Sequence, residues 1–191
     1  MLQRLKLLFE CFFCWPFRGR VKPEGNLKDA DVIIAPSFGQ GENNPGFSNV
    51  DIAGYIFIAL MELKNLPLIL QWEVASIYSQ FLKGLEEKPK LHTVRTHRHW
   101  WKYLDTYEVL SQTKQIIEQE EWHHPVLVAH PWHIFRAKKI LKKMGIKPII
   151  PSDLGIISFD SESTQWWTRN WFFWMIREVP TRLIYFKCGW I

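Results

Sequence analysis

Cysteine is scarce in this chain: three in 191 residues, Cys11, Cys14 and Cys188. An odd number without framework spacing excludes a small disulfide-built secreted domain and fits a reducing compartment. Cys11 and Cys14 form C-x-x-C, but no strand precedes them as a redox motif requires, and three cysteines cannot make a four-cysteine zinc site. The N-terminal apolar stretch is too short to span a bilayer and lacks a small-residue cleavage site, which argues against a signal peptide. No internal repeat, low-complexity linker or G-x-S-x-G motif appears. The last of these leaves an acyl-transfer triad without support. Charge excess is modest, at +5. That permits anionic partners without demanding nucleic acid, and with no recognised motif a nucleic-acid partner is not expected.

Length and a 47% hydrophobic content suffice for one well-filled domain. Residues 1–28 are read as an apolar and basic N-terminal segment. Its Arg4, Lys6, Arg18 and Arg20 are compatible with a membrane interface as well as with packing on the protein itself. Residues 29–191 are read as a single α/β domain. Within it, strand-like runs alternate with helix-like periodicity five times: 31–36, 66–71, 91–96, 125–129 and 147–151 as strands, with helices over about 49–64, 74–83, 105–121 and from Pro131 to Gly145. Such alternation predicts an approximately five-stranded, mainly parallel sheet with helices on both faces, three layers in all. Ser48 and Asp51 are expected to cap the first helix, and Asp105 with Glu108 the third. Asn65 suits a left-handed helix stop. The last forty residues break the pattern. Trp167, Trp171 and Trp174 follow helical spacing, which predicts an aromatic C-terminal helix, either packed on the sheet or lying in a membrane interface.

In an open parallel sheet, ligands bind beyond the carboxyl ends of the strands. The side chains expected there are Gly39 and Gly41 after the first strand, Glu73 after the second, His97, Arg98 and His99 after the third, His130, His133 and Arg136 after the fourth, and Asp153 after the fifth. His123 and His124 precede the fourth strand. A strand spans roughly 17–20 Å, so these two histidines and the His130–His133 pair cannot share one ion. His130 and His133 could be two metal ligands, but a third from Glu73, His97, His99 or Asp153 has no diagnostic spacing, and no metal or other cofactor is assigned. An anion fits with fewer assumptions. Arg136 lies one turn from His133 at a helix start, where free N–H groups and the helix dipole favour negative charge, and Gly39 and Gly41 allow close backbone approach. His133 is the expected general acid or base, since histidine titrates near neutral pH. Glu108 or Asp153 would orient it.

Two stretches, "YLDTYEVL" and "LVAHPWHIFRA", resemble segments of the bacterial SanA/ElyC/YdcF-like family of domains of unknown function. That family has S-x-N-T-x-E-N at a helix start and V-T-S-x-x-H-x-x-R-A after a strand. Thr106 and Glu108 match the first pattern, and Val128, His133, Arg136 and Ala137 the second; His130 stands where serine or threonine is usual. The resemblance implies a Rossmann-like domain with a pocket at the strand ends, which makes Thr106 a ligand-binding candidate, and a link to the bacterial cell envelope. The expected function is binding of a small phosphate-bearing or nucleotide-like anion, in a cytoplasmic protein able to contact the inner membrane. The alternatives are a non-catalytic, membrane-apposed envelope factor and a histidine-based metal-dependent hydrolase.

Overall fold

The computed structural model describes residues 22–63, 65–96 and 104–191. The Cys11/Cys14 pair, most of the N-terminal segment, and His97, Arg98 and His99 lie outside the described residues. The chain is α/β. Strands β1 (Val32–Ala35), β2 (Leu68–Gln71), β3 (Leu91–Val94) and β4 (Pro125–Leu127) form a sheet in the order β3-β2-β1-β4. Every pairing is parallel, with Ile33 opposite Leu68, Ile69 opposite His92 and Ile34 opposite Leu127. Val32, Ile33, Ile34 and Ala35 of the inner strand β1 are all buried, as a central parallel strand covered on both faces requires. A fully buried residue such as Ile33 or Leu68 contributes roughly 1.5–3 kcal/mol relative to exposure.

The expected fifth strand is reduced to a bridge. Ile149 pairs in parallel with Val126, and Ile150 pairs antiparallel with Glu24. Pro148 and Pro151 flank this pair, and neither has an N–H to donate, so the ladder cannot extend in either direction.

The helices are α1 (Phe47–Leu63), α2 (Trp72–Phe81), α3 (Thr106–Gln119), α4 (Pro131–Lys143) and α5 (Trp171–Lys187). Helix α1 packs on α2, α3 on α4, and α4 on α5. Local sequence explains most of their ends. Asp105 accepts from the Glu108 N–H while Glu108 accepts from the Asp105 N–H, closing the expected capping box of α3. Pro131 opens α4, and Asn65 takes φ 59° after α1. The expected Ser48–Asp51 cap does not form, because α1 starts one residue before Ser48. Instead the Ser48 hydroxyl donates to the Ser158 carbonyl and Asp51 accepts from the Ser158 N–H, so the pair clasps a distant loop. The start of α1 is held by Asp160, whose carboxylate accepts from the Phe47 N–H at 3.0 Å. No described helix is long and apolar enough to cross a membrane.

Candidate functional site

The chain runs outward from β1 to β3 and then returns to the other side of β1 as β4, so the loops after β1 and β4 diverge from neighbouring strands. Crevices at such reversals are where ligands bind in parallel sheets. Here two rings meet in the crevice. Phe38, from the loop after β1, stacks on His130, from the end of β4, with centroids 3.8 Å apart and planes 6° from parallel. Trp174 of α5 covers Phe38 at 4.8 Å and meets His133 at 5.7 Å.

Beside these rings lies a buried polar chain. The Arg136 guanidinium donates to the Thr106 hydroxyl at 3.2 Å, and that hydroxyl meets Nε2 of His133 at 2.9 Å. Arg136 also pairs with the carboxylate of Glu178, which accepts from Nε of Arg182 through its other oxygen at 2.8 Å. Glu178 is 1% exposed, so one buried acid serves two buried cations. Trp174 and Tyr185 ring faces lie 5.0 and 5.7 Å from the Arg136 guanidinium, and Phe135 lies 4.4 Å from that of Arg182. Stacking of this kind suits the weakly hydrated, planar guanidinium.

Hydrogen bonding assigns the tautomer of His130. His130 caps α4 by accepting from the Trp132 N–H at Nδ1, which places its proton on Nε2. Thr106 accepts from Arg136 and also meets Nε2 of His133, an arrangement that suits either imidazole tautomer, because a hydroxyl oxygen can accept twice. Burial drives the His130 pKa down to about 3. It also drives His133 well below 6.5, helped by the charge of Arg136 and by His130. Neutral-pH titration, the property that recommended His133 as an acid or base, is therefore absent. Three buried N–H donors then have no acceptor, Nε2 of His130, Nε of Arg136 and Nε1 of Trp174, and Nδ1 of His133 is likewise buried without a partner.

The carboxyl that does approach neutrality is Glu73. Desolvation in the first turn of α2 pushes its pKa up to about 7, against weaker lowering by its own backbone N–H, Ser37, Gln71 and Arg95. Gln71 donates to Oε1 of Glu73 at 3.3 Å and accepts from the Ser37 N–H at 2.9 Å. Oε2 of Glu73 and the Ser37 hydroxyl are both buried, near enough for Ser37 to act on the carboxyl but outside good hydrogen-bond geometry.

Other sequence candidates sit elsewhere. Asp153 is exposed and accepts from the Tyr55 hydroxyl at 2.6 Å, while Glu108 caps α3; the hydrogen bond that fixes His133 comes from Thr106. The glycine loop packs inward. Gly39 has φ +78°, and a Cβ there would stand 2.6 Å from the Thr168 hydroxyl and 2.8 Å from that of Ser163. A Cβ on Gly41 would collide with the Asn44 side chain. The N–H groups of Phe38 and Gln40, on either side of Gly39, donate to Asn49 and Ser163. His123 and His124 lie at the opposite sheet edge, where their N–H groups bind the Asp31 carboxylate. Among the described residues no three His, Cys, Asp or Glu side chains form a group able to hold a metal ion.

Sequence reasoning missed Phe38, Trp174 and Glu178. Glu178 had a signal: it is the only acid in "WFFWMIREVPTRLIYFK", and it stands four residues before Arg182, the spacing of an ion pair on one helix face. Against family models, characterised proteins and solved structures, the chain has no significant match.

Proposed function

We propose that this protein binds a small anionic ligand, phosphate-bearing or nucleotide-like, at the crevice between the ends of β1 and β4. The supporting observation is the set of three buried N–H donors without acceptors on His130, Arg136 and Trp174, beside the unpartnered Nδ1 of His133. Native proteins leave few buried polar groups unpaired, and a cluster of donors calls for a species rich in acceptors. Arg136 supplies the countercharge, and its pairing with the Glu178 carboxylate supports an affinity of this guanidinium for oxyanions. The ligand and Glu178 compete for that guanidinium, so binding draws α5 aside.

We also read the fold as three-layered and Rossmann-like, and the chain as a divergent member of the SanA/ElyC/YdcF-like family. The strand order supports the first reading. For the second, Thr106, His133 and Arg136, matched on two separate segments, meet in one hydrogen-bonded chain. An envelope-related role follows from that membership alone.

The test is a thermal-shift panel of inorganic phosphate, nucleotides and phosphosugars on the wild type, Glu178→Gln, and the Arg136→Gln/Glu178→Gln double variant. Removing the competing carboxylate in Glu178→Gln is expected to tighten binding of the responding compound about ten-fold, equivalent to ~1.4 kcal/mol. The double variant keeps amides at both positions and is expected to lose the response. If no compound shifts Glu178→Gln, or if the shift survives in the double variant, the reading fails.

A further inference from the structure

Helix α5 is packed inside out. Its buried face is Trp174, Glu178, Thr181, Arg182 and Tyr185, with the acid and one base sealed against α4. Its outer face carries Phe172, Phe173, Ile176, Leu183 and Ile184, each between 37% and 52% exposed, and Trp171 is exposed at its first turn. A helix on a water-facing surface arranges these classes the other way round. Scattered exposed apolar residues need no explanation, but five on one face of one helix do.

The charges around that face have one sign. Arg169, Arg177 and Lys187 are exposed, and the helix's only acid, Glu178, is buried. A second copy pairing through the same face about a two-fold axis would set these cations against their own equivalents. An anionic lipid surface offers what the face lacks: an apolar layer for the aromatic and aliphatic side chains, and phosphate groups just above it for the cations. Tryptophan and phenylalanine at the start of α5 and a lysine at its end suit that boundary, where long basic side chains bury their stems and keep the charge in the headgroups.

We propose that the outer face of α5 docks on an anionic phospholipid bilayer, lying in the plane of the headgroups without crossing. Docking places the Arg136 crevice about one helix diameter, roughly 10 Å, from the lipid. This inference does not depend on the anion-binding reading, because the docking face and Arg136 are on opposite sides of the helix.

The test is flotation of the full chain with phosphatidylglycerol/phosphatidylcholine vesicles and with pure phosphatidylcholine vesicles, alongside sedimentation and thermal melting without lipid. The first twenty residues contribute Arg4, Lys6, Arg18 and Arg20 to a similar mixture of apolar and basic groups, so the substitutions are confined to α5. The wild type is expected to float with the anionic vesicles and to be released by salt. Ile176→Glu/Ile184→Glu is expected to lower the bound fraction about ten-fold while its melting temperature holds. Arg177→Glu/Lys187→Glu is expected to remove the preference for anionic vesicles. Ile58→Glu, on an α1 residue that is 60% exposed, is expected to change nothing. Undiminished flotation of Ile176→Glu/Ile184→Glu overturns the proposal. So does a dimer that this variant dissociates without affecting flotation, which identifies a second copy as the occupant. A melting temperature that collapses in this variant without lipid overturns it too, because the face is then covered by the chain itself.

Discussion

Helices α3 and α5 obey opposite rules within one domain. Helix α3 turns Val109, Leu110 and Ile117 inward and keeps Lys114 and Glu118 at the surface, where they pair at 3.5 Å across one turn. Helix α5 turns Glu178 and Arg182 inward and leaves its aliphatic residues outside. The difference originates in the neighbour. Arg136 of α4 is buried and permanently charged, and burying such a charge is costly unless an opposite charge reaches it. Burial therefore selects charge complementarity for α5 and apolarity for α3. A helix face is chosen by what it meets, and hydrophobicity is only the commonest criterion.

The contrast breaks most sharply at its acids. Glu178→Ala strands Arg136 and Arg182 without a counterion, and chemical denaturation is expected to show a loss of about 3–5 kcal/mol. Glu118→Ala removes an exposed pair from α3 and is expected to cost about 0.3–0.5 kcal/mol in the same assay. Equal losses would erase the distinction between the helices.

A second measurement uses pH. Glu73 holds its proton up to about pH 7 in the fold, against an ordinary 4.5, because burial disfavours its charge. A raised pKa means that the folded protein binds the proton more tightly than the unfolded chain does. This group's contribution is therefore complete below about pH 4.5 and is lost as pH rises through 7. The two histidines have the opposite sign: held neutral by burial, they lose their contribution as pH falls below 6.5. Glu73→Gln removes the first effect and keeps the second. The stability difference between wild type and variant is expected to move by up to ~3 kcal/mol in the variant's favour between pH 4.5 and pH 7. A difference that stays flat over that window would place the Glu73 carboxyl in contact with water.

The smallest effect belongs to the α3 cap. Asp105→Ala leaves the Glu108 N–H without its acceptor, and a loss of about 1 kcal/mol is expected by thermal denaturation. The cap adjoins Thr106, which accepts from Arg136, so this loss is expected to couple with that of Glu178→Ala in a double-mutant cycle.

What the sequence disclosed divides along a physical line. Strand and helix order, the α3 cap, Pro131 at the start of α4 and the left-handed Asn65 were legible, because periodicity, capping and backbone preference act over a few residues. The expected strand at 147–151 overreached by ignoring what Pro148 and Pro151 do to its ladder. The site was half legible. Thr106, His133 and Arg136 were named and do meet, but the acid that completes the group comes from a helix 42 residues beyond Arg136 in the chain. The neutral state of both histidines and the raised pKa of Glu73 depend on how deeply each is buried, which no local pattern encodes. Gly39 and Gly41 were assigned to a ligand when their immediate need is to clear Thr168, Ser163 and Asn44.

The pairing of Arg136 with Glu178 also fixes the azimuth of the final helix. Turned half a revolution about its axis, that helix would hide Phe172, Phe173 and its isoleucines from water, as solvent alone prefers. It would also carry its lone carboxylate away, together with the rings of Trp174 and Tyr185, and leave the Arg136 guanidinium without a partner on that side. One arginine side chain thereby acts as the key that admits a single rotational setting of seventeen residues.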